Sequence, residues 1–178
     1  MKRCLQEGLI GLAIIIFASG IASATTDLLT GAEIRAAPEE VQAIRVVFDR
    51  AEEALQKKNL SAMTAVYSKG YQNRGLRREE TVRIWQDIFS RYDSLSSRHS
   101  FSKIVVDRQK GTAQVTCTGA LFGVSVLKVG GTAPPVRIDF WFEAVHHLTF
   151  EEGVWKIVGH DQDREGGNAF GSAIHLLF

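Results

Sequence analysis

The 178-residue sequence has little cysteine and little proline, two of the first and three of the second, and no excess of either charge. Three prolines beside 16 glycines exclude collagen-like and proline-rich architectures. Lys and Arg number 21 against 20 Asp and Glu, a formal net charge of +1, so the basic surplus of a dedicated nucleic-acid binder is missing. Also absent are H-x-H, H-E-x-x-H and paired C-x-x-C patterns, and no zinc site is expected. There is no G-x-S-x-G elbow, and Gly130-Gly131-Thr132 lacks the lysine and following helix of a P-loop. No cofactor is therefore expected. What remains is 45% hydrophobic and 23% charged, too apolar for a disordered chain and ordinary for one globular domain.

The first residues read as a leader. Lys2 and Arg3 give a positive start, an apolar run extends from Leu9 to Ile21, and Ala22-Ser23-Ala24 is a small-residue cleavage site. The run is broken by Ser19 and Gly20 and falls short of the roughly 20 residues a spanning helix needs. Residues 1–24 are thus expected to be a signal peptide, the protein to be exported to a periplasm or the exterior, and no stable membrane span to remain. Cys4 leaves with the leader, so Cys117 is left without an intrachain disulfide partner.

Residues 25–38 hold no sustained period and are expected to be a lead-in. From Glu39, the spacing of Val41, Ile44, Phe48, Ala51 and Leu55 predicts an amphipathic helix of about five turns, with Pro38 at its start. Ser61 can cap a short helix carrying Met63, Val66 and Tyr67. A third helix is predicted over 78–92, with Trp85, Ile88, Phe89 and Tyr92 on one face. After Ser100 the period changes to two. Strands are expected at 101–107, 112–122, 136–144 and 154–162, with turns at Arg108–Gly111 and Glu151–Gly153. Three helices followed by antiparallel strands make an α+β domain in which helices cover a strongly curved sheet.

Two segments carry a family likeness: KKNLSAMTAVYSKGYQNRG at Lys57–Gly75 and HHLTFEEGVWKIVGHDQD at His146–Asp163. With the long first helix, residues 39–163 resemble the nuclear transport factor 2-like superfamily. That group has a cystatin-like cone fold and includes SnoaL-like cyclases, ketosteroid isomerases and scytalone dehydratase. The resemblance implies a pocket between helices and concave sheet, and often a homodimer through the sheet's outer face. It also implies that His or Asp inside the cone can serve proton abstraction or dehydration.

Strand and helix parity turn Phe48, Tyr67, Trp85, Cys117, Phe140, Phe142 and Trp155 toward the cone interior, where they are candidates to line a pocket for a small apolar molecule. His146 shares the parity of Phe140 and Phe142, and Asp161 that of Trp155 and Ile157. An inward His beside an inward Asp could act as base and orienting carboxylate. The plainer reading is a core histidine held by one hydrogen bond. Cys117 reads as a small buried hydrophobe rather than a nucleophile. Asp161-x-Asp163-x-Glu165-Gly166 imitates half a calcium loop but meets Ser172 at the twelfth position, where a bidentate Glu is needed. Lys69, Arg74, Arg77 and Arg78 precede Glu79 and Glu80 and read as mixed solvated surface. Phe170, Ala173, Ile174 and Leu177 give residues 164–178 an apolar helical stripe, expected to dock on the domain or a partner. The leading expectation is binding of a small ligand or partner; the alternative is a cofactor-free lyase, isomerase or cyclase using His146 and Asp161.

Overall fold

The computed structural model of the protein describes residues 26–73, 75–127 and 134–161. The leader, Arg74, the Gly130-Gly131 connection, the tail and the calcium-like residues beyond Asp161 lie outside them.

The chain enters as a strand, β1 (Thr26–Arg35), where the sequence suggests a lead-in without structure. It pairs in parallel with the later strand β4 (Tyr92–Asp107), Thr26 facing His99 and Ile34 facing Ile104. An irregularity between Leu28 and Glu33 breaks its register. Leu28, Leu29 and Ile34 remain partly exposed on this edge strand, so its residues do not alternate by polarity and leave no period to read. Arg45 ties the strand to the first helix by donating from Nη2 to the Thr26 carbonyl, 2.8 Å.

Helix α1 (Pro38–Gln56) follows the predicted face, burying Ile44, Val47, Phe48, Ala51 and Leu55. Glu40 accepts the Ala37 N–H at 2.7 Å, satisfying a donor that the helix cannot pair internally. Each fully buried Ile, Leu or Phe of this face contributes on the order of 1.5–3 kcal/mol. Helix α2 (Leu60–Ala65) is capped by Asn59, whose Oδ1 accepts the Ala62 N–H at 3.0 Å, one residue-type and two positions from the expected Ser61. A two-residue pair, β2 (Gln72–Asn73) and β3 (Leu76–Arg77), leads into α3 (Arg78–Arg91), which buries Thr81 and Trp85.

Strand β4 begins as soon as α3 ends, nine residues before Phe101. It pairs antiparallel with β5 (Thr112–Ser125), which pairs with β6 (Val136–Glu151), then β7 (Val154–Asp161). The five-stranded sheet runs β1-β4-β5-β6-β7. The β6–β7 turn has positive φ at both Glu152 and Gly153, the two-residue geometry that fits the twist of a hairpin. Beyond β7 the sheet edge is closed by the chain after α2: Ile157 N–H donates to Val66 O at 2.9 Å and Ser68 N–H to Ile157 O at 2.8 Å. The architecture is α+β, with helices over a curved, mainly antiparallel sheet.

Bulges set which residues face the core. Opposite Thr118, strand β6 carries Phe142 and Glu143 where one residue would suffice, and Glu143 adopts φ 46°. The extra residue inverts parity along β6. Trp141, Ala144, His146 and Leu148 are buried, whereas Phe140 and Phe142 are 50% and 65% exposed on the outer face. The expected inward direction of these two phenylalanines is therefore corrected. A second bulge, at Val158 in β7, pairs His146 with His160 and Val145 with Asp161. His160 turns in and Asp161 turns out, again opposite to simple alternation.

Candidate functional site

The concave face of the sheet gathers an unusual set of polar side chains beneath α1. From β4 come Ser97 and His99, from β5 Cys117, from β6 Trp141 and His146, and from β7 His160, all buried. Phe48 of α1 packs against two of them and against Phe101. Its ring lies 5.2 Å from that of His99, 5.8 Å from that of His146 and 4.8 Å from that of Phe101. His146 and His160 are 6.0 Å apart between centroids, and Asn73 Nδ2 lies 3.2 Å from the His160 ring nitrogens.

His99 is oriented from both sides. Glu52, buried on α1, accepts the Ser97 N–H at 2.7 Å, the Ser97 hydroxyl at 2.6 Å and Gln56 Nε2 at 2.9 Å, three donors for a carboxylate that can only accept. With its proton given to Glu52, Ser97 Oγ can only accept from His99 Nε2, 3.2 Å away. Hydrogen-bond logic thus assigns the Nε2–H tautomer and leaves Nδ1 as an acceptor. The Cys117 sulfur lies 3.6 Å from that Nδ1 and receives the Trp141 indole N–H at 3.3 Å. His99 donates to Ser97 and Ser97 to Glu52, while the Cys117 thiol, accepting from Trp141, has both His99 Nδ1 and the Thr118 carbonyl oxygen, 3.5 Å away, within reach of its proton. Burial pushes the Cys117 thiol up to about 12, against the opposing pull of the Trp141 N–H, so it stays protonated and does not serve as a nucleophile.

A second polar cluster lies under α3. Trp85 Nε1 donates to the Tyr67 hydroxyl at 2.9 Å, and the Tyr67 and Tyr71 rings meet edge to face at 4.8 Å. Burial raises the Tyr67 phenol, the neighbouring Tyr71 adding to the effect, and raises that of Tyr71 to about 12.

Phe48, Cys117 and His146 therefore converge within the cone, and Tyr67 and Trp85 form their own contact. Trp155 is buried at the hairpin end of β7, edge-on to Phe150 at 5.3 Å. Phe140 and Phe142 belong to the other face of the sheet. Asp161 does not approach His146 as a partner. Its Oδ2 lies 2.7 Å from Nε2 of His147, on the outer face, with the Asp161 side chain 77% exposed. Sequence reasoning missed Glu52, Ser97, His99, Trp141 and His160. A signal did exist for the β4 pair: Leu95, Ser97, His99 and Phe101 keep strict alternation through a polar stretch. Among the described residues, no three of His, Cys, Asp or Glu are grouped to hold one metal ion. No helix there is long and apolar enough to cross a membrane.

The fold and this interior define a class, the α+β cone. No family model matches the chain, and no curated protein matches it either. Solved structures do. A conserved protein from Planctomyces limnophilus is similar at TM-score 0.56 and 16% identity, over 68% of this chain and 93% of that one. A protein from Streptomyces avermitilis, provisionally named a dehydratase of the nuclear transport factor 2-like family, aligns at TM-score 0.51 and 15% identity, over 70% and 95%. One from Novosphingobium aromaticivorans, provisionally named a scytalone dehydratase, aligns at TM-score 0.54 and 12% identity, over 68% and 81%. The chain has the nuclear transport factor 2-like cone fold. At these identities the likeness is one of fold alone.

Proposed function

We propose that this is an exported binding protein whose cone receives a small, mostly apolar molecule with one hydroxyl or carbonyl group. The observation that carries the reading is the packing of His99 and His146 against the Phe48 ring, with Trp141 beside His99, His160 beside His146 and Phe101 against Phe48. A core built only for stability gains nothing from three imidazoles and a carboxylate, because each must find a partner to offset its lost hydration. An apolar wall with a few convergent polar groups is the usual composition of a ligand site. The leader supports export, and the exposed phenylalanines of β6 support self-association through the outer face.

Titration with 2-naphthol, followed through the imidazole nitrogen resonances, tests the reading. Saturable shifts at His99, His146 or His160 are expected, and these should be lost in His99→Ala while the protein stays folded. Silence at all three rings toward 2-naphthol and toward its ketone counterpart 2-tetralone overturns it.

One observation favours a catalytic second reading. The hydrogen bonds from His99 through Ser97 to Glu52 leave His99 Nδ1 as an acceptor, and Glu52 would stabilise the imidazolium formed when that nitrogen takes a proton. His99 replaces His146 as the base in this reading, Ser97 and Glu52 are positioning residues, and Asp161 has no part. Cofactor-free proton transfer on a bound carbonyl compound should then fall by at least about 100-fold in His99→Ala, the typical range for a general base. Glu52→Gln should shift the pH profile of the remaining rate.

A further inference from the structure

A separate hollow lies outside the cone, where one face of α1 passes over α2 and the start of β7. It has a volume of about 260 Å³. Val47 and Ala54 of α1, Ala62 and Val66 near α2, and the Trp155 indole give it an apolar floor. The rim is charged. Arg50 and Lys57 project from α1 and Lys156 from β7, against the single carboxylate of Glu53. These cations are not equivalent. Lys57 is taken up by an ion pair with Glu53, which holds that carboxyl below its ordinary range, and the Lys156 ammonium donates to the Ala65 carbonyl that ends α2. Arg50 lines the hollow, is exposed and makes no ion pair among the described residues.

We infer that this groove binds a monocarboxylate carrying one aromatic ring or a compact branched aliphatic body. The apolar floor selects the body. The volume, just under the roughly 300 Å³ at which drug-sized pockets begin, limits it to about one ring with a short chain. The unpaired guanidinium selects a planar anion that can take two parallel N–H bonds. The site shares no residue with the histidine cluster, so it stands or falls independently of ligand binding in the cone.

The test uses the full chain labelled with ¹⁵N-tryptophan, whose three indole N–H resonances report Trp85, Trp141 and Trp155 separately. Trp155→Phe assigns the last. On titration with 3-phenylpropionate the Trp155 resonance should shift along a saturable curve, with Trp141 still. The neutral 3-phenylpropanamide should bind at least tenfold more weakly. Arg50→Gln should weaken the carboxylate by a similar factor, and Arg50→Lys, which keeps charge but loses the fork, by less. Equal affinity for acid and amide, an unaffected Arg50→Gln, or an unmoved Trp155 each overturns the inference. A shift at Trp141 and the histidines under 2-naphthol with Trp155 still reports the cone alone.

Discussion

His147 Nε2 lies 2.7 Å from Asp161 Oδ2 across the β6–β7 pair, on the outer face of the sheet. Its sequence neighbour His146 is fully buried on the inner face, edge-on to Phe48. Adjacent residues of one strand thus occupy different environments, and their removal should cost different amounts. A polar contact exposed as this one is contributes little, because water and salt screen it and two side chains must be held still. His147→Ala should leave the stability to urea within about 0.5 kcal/mol of the parent protein. His146→Ala should lose roughly 2–4 kcal/mol, since it leaves a void under Phe48. Equal losses in equilibrium denaturation would contradict the assignment of faces.

The inward turn of Trp141 depends on room made by Gly119. A Cβ built at Gly119 would stand 2.3 Å from Trp141 Cζ2 and 2.3 Å from the Arg98 carbonyl oxygen. The second atom is backbone and cannot swing away. Gly119→Ala should therefore destabilise the protein by about 1–3 kcal/mol, the range for overpacked cores. It should also disturb the near-ultraviolet circular dichroism of the indole. A wild-type spectrum with unchanged stability would place the Trp141 ring elsewhere.

The same bulges explain what could be read from the chain and what could not. Helix α1 was legible because its apolar residues recur at helical spacing and nothing interrupts them. Strand parity was legible only as far as the first extra residue. Counting by twos from Ala144 is correct toward His146 and Leu148, and fails toward Phe142 because Glu143 sits at positive φ in the bulge. Counting from Ile157 fails at Val158 for the same reason, exchanging Asp161 for His160. A bulge is set by pairing with another strand and leaves no mark in local polarity. The first half of β4 was hidden differently. Its inward positions include Ser97 and His99, and a period of hydrophobicity cannot be seen where the buried residues are themselves polar. The most chemically informative part of the interior was in this way the least visible in composition.

Phe142, displaced to the outer face by the bulge, is 65% exposed, and Phe140 on the same strand is 50% exposed. Large aromatic side chains left mostly in water are a liability, and together they suit an interface with a second copy. Two charged substitutions at this spot should weaken association without touching the core. In sedimentation equilibrium, Phe140→Asp with Phe142→Asp should raise the dimer dissociation constant at least about 100-fold, roughly 3 kcal/mol for two buried aromatic anchors. A parent protein that sediments as a monomer at 100 μM or above would remove the proposal of self-association.

Alkaline pH should destabilise the interior. The Cys117 thiol, raised by burial to about 12, and the Tyr71 phenol, raised by burial to about 12 against the pull of Asn73, are neutral in the folded protein. Unfolded, they return to ordinary values near 9.0 and 10.0. A folded-state value above the unfolded one means that the unfolded chain releases its proton first as pH rises. Stability from these groups is therefore complete below about pH 9 and falls progressively up to about pH 12. Melting temperature should be flat from pH 7 to 8.5 and decline from pH 9 upward. Cys117→Ala should move the onset toward pH 10, because the thiol accounts for the lower part of the window and the tyrosines for the upper. Thiol reagents should report the same burial directly. At pH 8 the folded protein carrying Cys4→Ser, in which Cys117 is the one thiol, should react with 5,5′-dithiobis(2-nitrobenzoate) at least about 1,000-fold more slowly than the same chain unfolded in urea, since thiolate is the reacting form and its fraction falls tenfold for each unit of upward shift. Fast labelling of native protein would mean that Cys117 is neither buried nor held neutral, and the hydrogen-bond chain from Trp141 to Glu52 would have to be redrawn.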